Sequence, residues 1–205
     1  MGSMREELVL ASASPTRARL LAAAGLGFAV EAAGIDEAAV KRRFAAARAS
    51  AGDCALALAA EKARSVSYRR PAAFVIGADQ LLACGEEWFD KPADLAAARA
   101  QLKRLSGKTH ELATAVCVTR GGEHLWSHLS RPRLTMRVLD DAFLDGYLAA
   151  EGEAVLGSVG AYRLEGRGVQ LFARIEGDHF AILGLPLLEL LGFLRERGML
   201  PSAGF

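Results

Sequence analysis

The sequence has few cysteines, no long apolar run and almost no excess charge. Its three cysteines, Cys54, Cys84 and Cys117, are widely spaced and form no C-x-x-C pair, which argues against a disulfide framework or a thiolate zinc site. No apolar stretch approaches the roughly 18 residues that a membrane helix needs, and the N-terminus lacks a signal-peptide pattern. These absences predict a cytoplasmic protein with no membrane partner.

Net charge and lysine are equally scarce. The chain of 205 residues carries 25 Lys and Arg against 24 Asp and Glu, for a formal net charge of +1. No general positive field would draw it onto nucleic acid, so no nucleic-acid partner is expected and any anionic ligand needs a local cluster of donors. The only lysines are Lys41, Lys62, Lys91, Lys103 and Lys108. These positions stand out because an ammonium grips a phosphate oxygen differently from a planar guanidinium.

Strand and helix signals alternate along the chain. Apolar and β-branched runs predict strands at residues 7–11, 73–78, 112–119, 134–138, 154–159 and 169–175, of which the second stops at Asp79. Capping residues and periodicity predict helices at residues 15–25, 36–48, 53–68, 92–105, 140–150 and 186–197. This order predicts one α/β domain over residues 1–205, with a central mixed sheet flanked by helices. Residues 1–3 are expected to be a remnant of cloning.

The first predicted strand runs into a helix through small hydroxyl residues. The segment Leu10-Ala11-Ser12-Ala13-Ser14-Pro15-Thr16-Arg17 would present backbone N–H groups, two serine hydroxyls and Arg17 at the positive end of a helix. This is the chemistry of a phosphate site, although capping of the helix by Ser14 would explain the same residues. No G-x-x-x-x-G-K-[ST] loop occurs, so the site is not of the Walker type.

Carboxylates and lysines lie near the predicted mouth of the sheet. Asp79 follows a buried strand, where ligands of open α/β sheets collect, and could hold a divalent ion or activate water; a turn aspartate is the alternative. One of Asp36 and Glu37 could join it as a ligand of Mg²⁺ or Mn²⁺, while the other stabilises a helix start. Lys62 and Lys91 could reach the same mouth, although solvated lysines would give the same pattern.

A late glycine-rich segment, residues 157–168, contains Tyr162, Glu165 and two arginines. Such a loop suits contact with a planar base through stacking and carboxylate hydrogen bonds, and a hairpin without a ligand is the alternative. The histidines show no metal-ligand spacing within a helix, so we interpret them as structural or surface residues.

Together and in this order, the residues resemble the Maf family of nucleotide pyrophosphatases over nearly the whole chain, from Leu8 to about Arg197. The motifs that carry the resemblance are Leu10-Ala11-Ser12-Ala13-Ser14-Pro15-x-Arg17-x-x-Leu20-Leu21, Asp36-Glu37, Glu61-Lys62-Ala63, Gly77-Ala78-Asp79, Lys91-Pro92, Leu105-Ser106-Gly107-Lys108-Thr109-His110 and Gly184-Leu185-Pro186. The resemblance implies a twisted sheet in two lobes around a cleft. It also implies a hydrolase, dependent on Mg²⁺ or Mn²⁺, that cuts nucleoside triphosphates between the α and β phosphates.

The family pattern gives these residues roles. Asp79 would be the proton acceptor that activates water, and Glu37 would be its catalytic partner and fellow metal ligand. Lys62 and Lys91 would be catalytic residues that grip the triphosphate. The residues implied to bind the substrate are Ser12, Ser14 and Arg17.

Three further positions bear on base preference. Gln80 and Glu165 resemble the branch of the family that hydrolyses 7-methyl-GTP, and a carboxylate suits the N1–H and 2-amino edge of guanine. Thr16 departs from that branch, which usually has Trp there to stack on a cationic base. The expected substrate is 7-methyl-GTP or another modified or non-preferred nucleotide, with UTP, CTP and dTTP left open.

Other interpretations remain open at this stage. A nucleotide-binding regulator of cell division without significant turnover could use the same cleft, but it would not need Asp79 beside a metal-compatible Glu37. A pyrophosphatase for inosine or xanthosine triphosphates is a second alternative. It ranks behind the others, because such enzymes usually have a Thr/Ser-Gly-Asn start after the first strand, where this chain has Ser12-Ala13-Ser14-Pro15. The apolar face of the last helix is interpreted as core, although it could also pair two copies as a homodimer.

Overall fold

The computed structural model describes residues 6–201, which fall into two compact units. Among these residues, the first unit comprises 6–80, Thr114–Ser130 and 179–201. The second unit comprises Leu81–Ala113 and Arg131–Asp178. The cloning remnant expected at residues 1–3 lies outside the described residues, and a single domain over residues 1–205 stays a prediction.

Strands and helices alternate, and the protein is α/β with a mixed sheet flanked by helices, as the sequence predicts. The strands are β1 (Leu8–Leu10), β2 (Ala29–Val30), β3 (Phe74–Cys84), β4 (Glu87–Phe89), β5 (Thr109–Arg120), β6 (Glu123–Ser130), β7 (Arg133–Met136) and β8 (Phe172–Glu176). The helices are α1 (Pro15–Ala23), α2 (Glu37–Ala46), α3 (Ala51–Arg69), α4 (Leu95–Leu105), α5 (Asp141–Glu151), α6 (His179–Ile182) and α7 (Leu187–Glu196). Within residues 6–201, none of these helices has both the length and the apolar character that crossing a bilayer requires.

The first unit is built around parallel strands. β1 pairs in parallel with β2 and β3, and the part of β5 from Thr114 onward pairs antiparallel with β6. Its core draws buried side chains from β1, α1, β3, β5 and α7, including Leu10, Leu21, Ile76, Val116, Leu190 and Phe193. A strand buried on both faces needs a continuous apolar run, which is why residues 73–78 are apolar throughout. The apolar face of α7 packs into this core, as interpreted from the sequence.

The second unit is antiparallel. β4 pairs with the end of β3, and β7 pairs with both β8 and the start of β5. A small aromatic group lies inside it, in which the Tyr162 and Phe172 rings meet edge to face at 4.8 Å. His110 is buried beside them, with its Nε2 atom 2.8 Å from the Tyr162 hydroxyl.

Two predicted strand assignments are wrong. β3 does not stop at Asp79 but continues to Cys84, because the residues beyond Asp79 form an antiparallel hairpin with β4. The strand predicted at residues 154–159 is a pair of 3-10 turns, Gly152–Gly157 and Val159–Ala161. Gly152 and Gly160 have φ angles of 56° and 77°, which break an extended conformation at both places.

The start of α4 is also corrected. The helix predicted from Pro92 begins at Leu95, because the side chain of Asp94 caps it by accepting a hydrogen bond of 2.7 Å from the Ala97 amide. Lys91 therefore precedes the helix by a short loop rather than standing directly before it.

Candidate active site

A buried lysine joins two carboxylates in the first unit. Lys62 Nζ lies 2.6 Å from Asp79 Oδ1 and 2.8 Å from Glu37 Oε1. Lys62 and Asp79 are 7% and 5% exposed, whereas the side chain of Glu37 is 47% exposed. Lys62 is therefore not a solvated surface lysine. It places one positive charge between two negative ones, and Asp79 lies within β3 rather than in a turn.

A glycine allows this approach between helix and strand. A Cβ atom on Gly77 would lie 2.1 Å from the carbonyl oxygen of Ala59 and 2.7 Å from the amide nitrogen of Ala63, both in the α3 backbone. Only glycine fits where two backbones come this close. Because α3 passes so near β3 at Gly77, Lys62 on α3 reaches Asp79, which lies two residues further along the strand.

The turn from β1 into α1 supplies further donors and acceptors. Ser14 caps α1 by accepting a hydrogen bond of 3.4 Å from the Arg17 amide. Ser12 Oγ accepts from the Ser14 amide at 3.2 Å and from Arg17 Nη1 at 3.1 Å. Arg17 Nε donates to the carbonyl oxygen of Gly184 at 2.8 Å. Ser14 therefore caps the helix, and in the same segment the Ser12 hydroxyl and the Arg17 guanidinium lie together.

Arg17 is coupled electrostatically to the carboxylates. Burial lowers the pKa of the Arg17 guanidinium, while the negative charges of Asp79 and Glu37 act in the opposite direction. A guanidinium keeps its proton even so, because its ordinary pKa lies far above neutral. The structure therefore keeps a fixed positive charge within electrostatic range of both carboxylates, and a guanidinium is a strong hydrogen-bond donor for phosphate oxygens.

The side chains of Gln80 and Thr16 form hydrogen bonds with neighbouring residues. Gln80 Nε2 lies within hydrogen-bond distance of Thr114 Oγ1 at 2.9 Å and of the carbonyl oxygens of Ala181 at 2.9 Å and Ile182 at 3.1 Å. Thr16 Oγ1 accepts a hydrogen bond of 3.2 Å from an Arg19 Nη2 atom. Their predicted roles in base preference stay predictions.

Lys91 and Glu165 belong to the second unit. Both residues are exposed there, and Arg163 Nε lies 3.8 Å from Glu165 Oε1. The glycine-rich segment that carries Glu165 contains 3-10 turns rather than a hairpin. The roles predicted for Lys91 and Glu165 also stay predictions.

The carboxylates of this site suit a divalent metal ion that takes most of its ligands from the substrate phosphates and water. No group of three or more His, Cys, Asp or Glu side chains is arranged to hold a metal within residues 6–201. Mg²⁺ is usually bound by one or two carboxylates together with substrate phosphates and water, and Mn²⁺ prefers the same oxygen donors. Asp79 and Glu37 are such a pair, and Lys62 contacts Oδ1 of the first and Oε1 of the second.

Sequence reasoning missed several partners of this site. The Thr114 hydroxyl and the carbonyl groups of Ala181, Ile182 and Gly184 were not among the predicted site residues, although they hold Gln80 and Arg17. A carbonyl is present at every position, so no residue type marks the three backbone contacts. The one available signal was Gly184, whose φ of 105° is a conformation that favours glycine.

The chain is similar to known proteins over nearly its whole length. A family model described as Maf-like protein matches residues 7–197. A nucleoside triphosphate pyrophosphatase of Paramagnetospirillum magneticum is 55% identical over 192 residues, which cover 94% of this chain and 99% of the relative. One of Rhodospirillum rubrum is 50% identical over 202 residues, 98% of this chain and 100% of the relative. A 7-methyl-GTP pyrophosphatase of Rhizobium meliloti is 49% identical over 199 residues, 97% of this chain and 100% of the relative.

Proposed function

The chain belongs to the Maf family and is a hydrolase of phosphoric anhydrides, and on that premise we propose that it cleaves nucleoside triphosphates between the α and β phosphates. The products are a nucleoside monophosphate and pyrophosphate. The observation that carries this proposal is that buried Lys62 joins buried Asp79 to the half-exposed Glu37, with the charge of Arg17 coupled to both carboxylates. A triphosphate needs several local donors, and this group supplies them in a chain with almost no net charge.

Asp79 is the group that accepts the proton in the proposed reaction. The oxygen of a water molecule forms a bond to the α-phosphorus as its proton passes to the Asp79 carboxylate. The bond from the α-phosphorus to the bridging oxygen breaks, and pyrophosphate leaves with the electron pair. Lys62 orients the carboxylate through its contact of 2.6 Å. Arg17, Ser12 and Ser14 bind the phosphates, with Lys91 assigned to the same task by family resemblance.

Asp79 and Glu37 would hold a divalent ion, Mg²⁺ or Mn²⁺. Such an ion, when bound, neutralises phosphate charge and polarises the phosphorus–oxygen bonds. Its positive charge would also explain how a triphosphate approaches a chain with a formal net charge of only +1. A cytoplasmic location remains part of the proposal and is supported by the odd number and wide spacing of the cysteines.

We assign 7-methyl-GTP as the first candidate substrate. A 7-methyl-GTP pyrophosphatase is 49% identical to this chain, and two pyrophosphatases named without a base are 50% and 55% identical, so the methylated nucleotide is among the substrates that relatives of this chain are named for. Glu165 supports the methylated guanine, because a carboxylate can accept both hydrogen bonds of that base edge. UTP, CTP and dTTP are the alternative substrates.

The test is release of pyrophosphate by the Asp79→Asn variant. Asparagine keeps the size of the side chain but cannot accept the proton, so turnover should fall by at least about a hundredfold. Asp53→Asn, an exposed position on the same helix as Lys62, is the matched control and should keep full activity. Circular dichroism and thermal unfolding would verify that both variants fold.

The outcomes separate the candidate functions. An active Asp79→Asn enzyme would show that Asp79 is not the proton acceptor. Nucleotide binding by the wild-type protein without release of pyrophosphate would favour the regulator over the enzyme. Side-by-side turnover of 7-methyl-GTP, UTP, dTTP, CTP and ITP would rank the bases, and a strong preference for UTP and dTTP would contradict the assignment to methylated guanine.

A further inference from the structure

We propose that Gln80 and Thr114 are positioning residues: they hold the backbone segment Ala181–Gly184, and through it the Arg17 guanidinium, in place for the triphosphate. We refer to Ala181–Gly184 as the anchor segment. The kinetic part of this inference rests on the proposed function, whereas its structural part does not.

One end of the anchor segment is fastened to the sheet. Gln80 Nε2 faces the carbonyl oxygens of Ala181 and Ile182, and Thr114 Oγ1 donates to the same Ala181 oxygen at 2.9 Å. The Thr114 hydroxyl in turn accepts from Gln80 at 2.9 Å and is fully buried. Carbonyl oxygens can only accept, so the amide nitrogen of Gln80 must point toward the segment. Both amide hydrogens are therefore committed to protein acceptors.

The other end of the anchor segment holds the arginine. Gly184 accepts the hydrogen bond from Arg17 Nε at 2.8 Å. The segment is a tight turn, since the Gly184 amide donates to Ala181 at 3.0 Å and the Leu185 amide donates to Phe180 at 3.1 Å. A shift of the Ala181 carbonyl would be passed along this short turn to Gly184 and from there to the guanidinium.

Two consecutive residues of β3, Asp79 and Gln80, point to opposite faces of the strand and have different partners. Neighbouring residues of a strand project to opposite faces, so Asp79 meets Lys62 on one face while Gln80 meets Thr114 on the other. This placement makes Gln80 a support for the phosphate-binding arginine. Its loss should weaken binding of every nucleoside triphosphate by a similar factor. That expectation differs from the base-reading role that the family resemblance assigns to Gln80.

The main test compares three variants of β5. Thr114→Val removes the hydroxyl and keeps the shape, and Thr114→Ser keeps the hydroxyl. Thr119→Val is the matched control, because Thr119 is 2% exposed on the same strand and its hydroxyl has no hydrogen-bond partner in the described part of the chain. Thr114→Val should raise KM about fivefold to tenfold for both 7-methyl-GTP and UTP, with kcat changed less than about twofold. Thr114→Ser and Thr119→Val should remain close to wild type.

Hydrogen exchange provides a readout that does not depend on turnover. The amides of Gly184 and Leu185 should exchange faster in Thr114→Val and in Gln80→Met than in wild type. If Thr114→Val does not fold, the exchange rates of these amides in Gln80→Met, a change at a half-buried position, test the proposal instead. Unchanged exchange in a folded variant would overturn the proposal, as would a KM that rises for one nucleotide only. If wild type releases no pyrophosphate from any nucleotide, the proposed function fails and exchange alone decides the positioning role.

Discussion

Acidification should destabilise the second unit through one buried histidine. His110 is 2% exposed, and burial lowers the pKa of its imidazole from 6.5 to about 4. Nε2 contacts the Tyr162 hydroxyl, but Nδ1 is buried and has no hydrogen-bond partner among residues 6–201. Protonation would add a charge and leave one N–H group without an acceptor, so the ring stays neutral in the folded protein.

The size and sign of the effect follow from linkage. Well above pH 6.5 the imidazole is neutral in both the folded and the unfolded state, and the free energy of unfolding no longer depends on its titration. As the pH falls from 6.5 toward about 4, the His110 imidazole binds a proton in the unfolded chain but stays mostly neutral in the folded protein. The free energy of unfolding therefore falls. The full pKa difference corresponds to about 3 kcal/mol, and the loss between about pH 7.5 and about pH 5 is roughly 2 kcal/mol.

Urea unfolding of wild type and His110→Gln at these two pH values measures the effect. The variant should lose roughly 2 kcal/mol less than wild type on acidification, because glutamine does not titrate. His124→Gln, at an exposed position on β6, is the control and should match wild type. NMR of the native protein should show the His110 ring titrating near pH 4. A ring that titrates near 6.5, or a variant with the wild-type pH dependence, would refute the reasoning.

Three further predictions concern the candidate active site. Gly77→Ala should lower the free energy of unfolding by roughly 3 kcal/mol or more, because its Cβ would collide with the α3 backbone; a loss below about 1 kcal/mol in urea unfolding would contradict the close approach. Arg17→Lys should raise KM about tenfold, since an ammonium cannot contact Ser12 and Gly184 as a guanidinium does, and an unchanged KM would argue against that geometry. Chelation with EDTA should abolish pyrophosphate release and added Mg²⁺ or Mn²⁺ should restore it; full activity in EDTA would exclude the proposed ion.

Local features were predictable because their causes lie within a few residues. Ser14 caps α1 and Asp36 caps α2 through contacts with amides three residues on, so the sequence alone indicates both helix starts. The apolar run of β3 predicted a buried strand for the same reason. Its continuation past Asp79 was missed, because that depends on pairing with β4 rather than on the residues of β3 themselves.

The sequence by itself determined the α/β class, the caps and the set of charged residues that resemble a nucleotide pyrophosphatase. Only the tertiary structure decided that Lys62 joins both Asp79 and Glu37, and that Gln80 and Arg17 share one anchor segment. The physical reason is the distance along the chain. Gln80 and Ala181 are 101 residues apart and Arg17 and Gly184 are 167 residues apart, and in both contacts the partner is a backbone carbonyl that every residue carries.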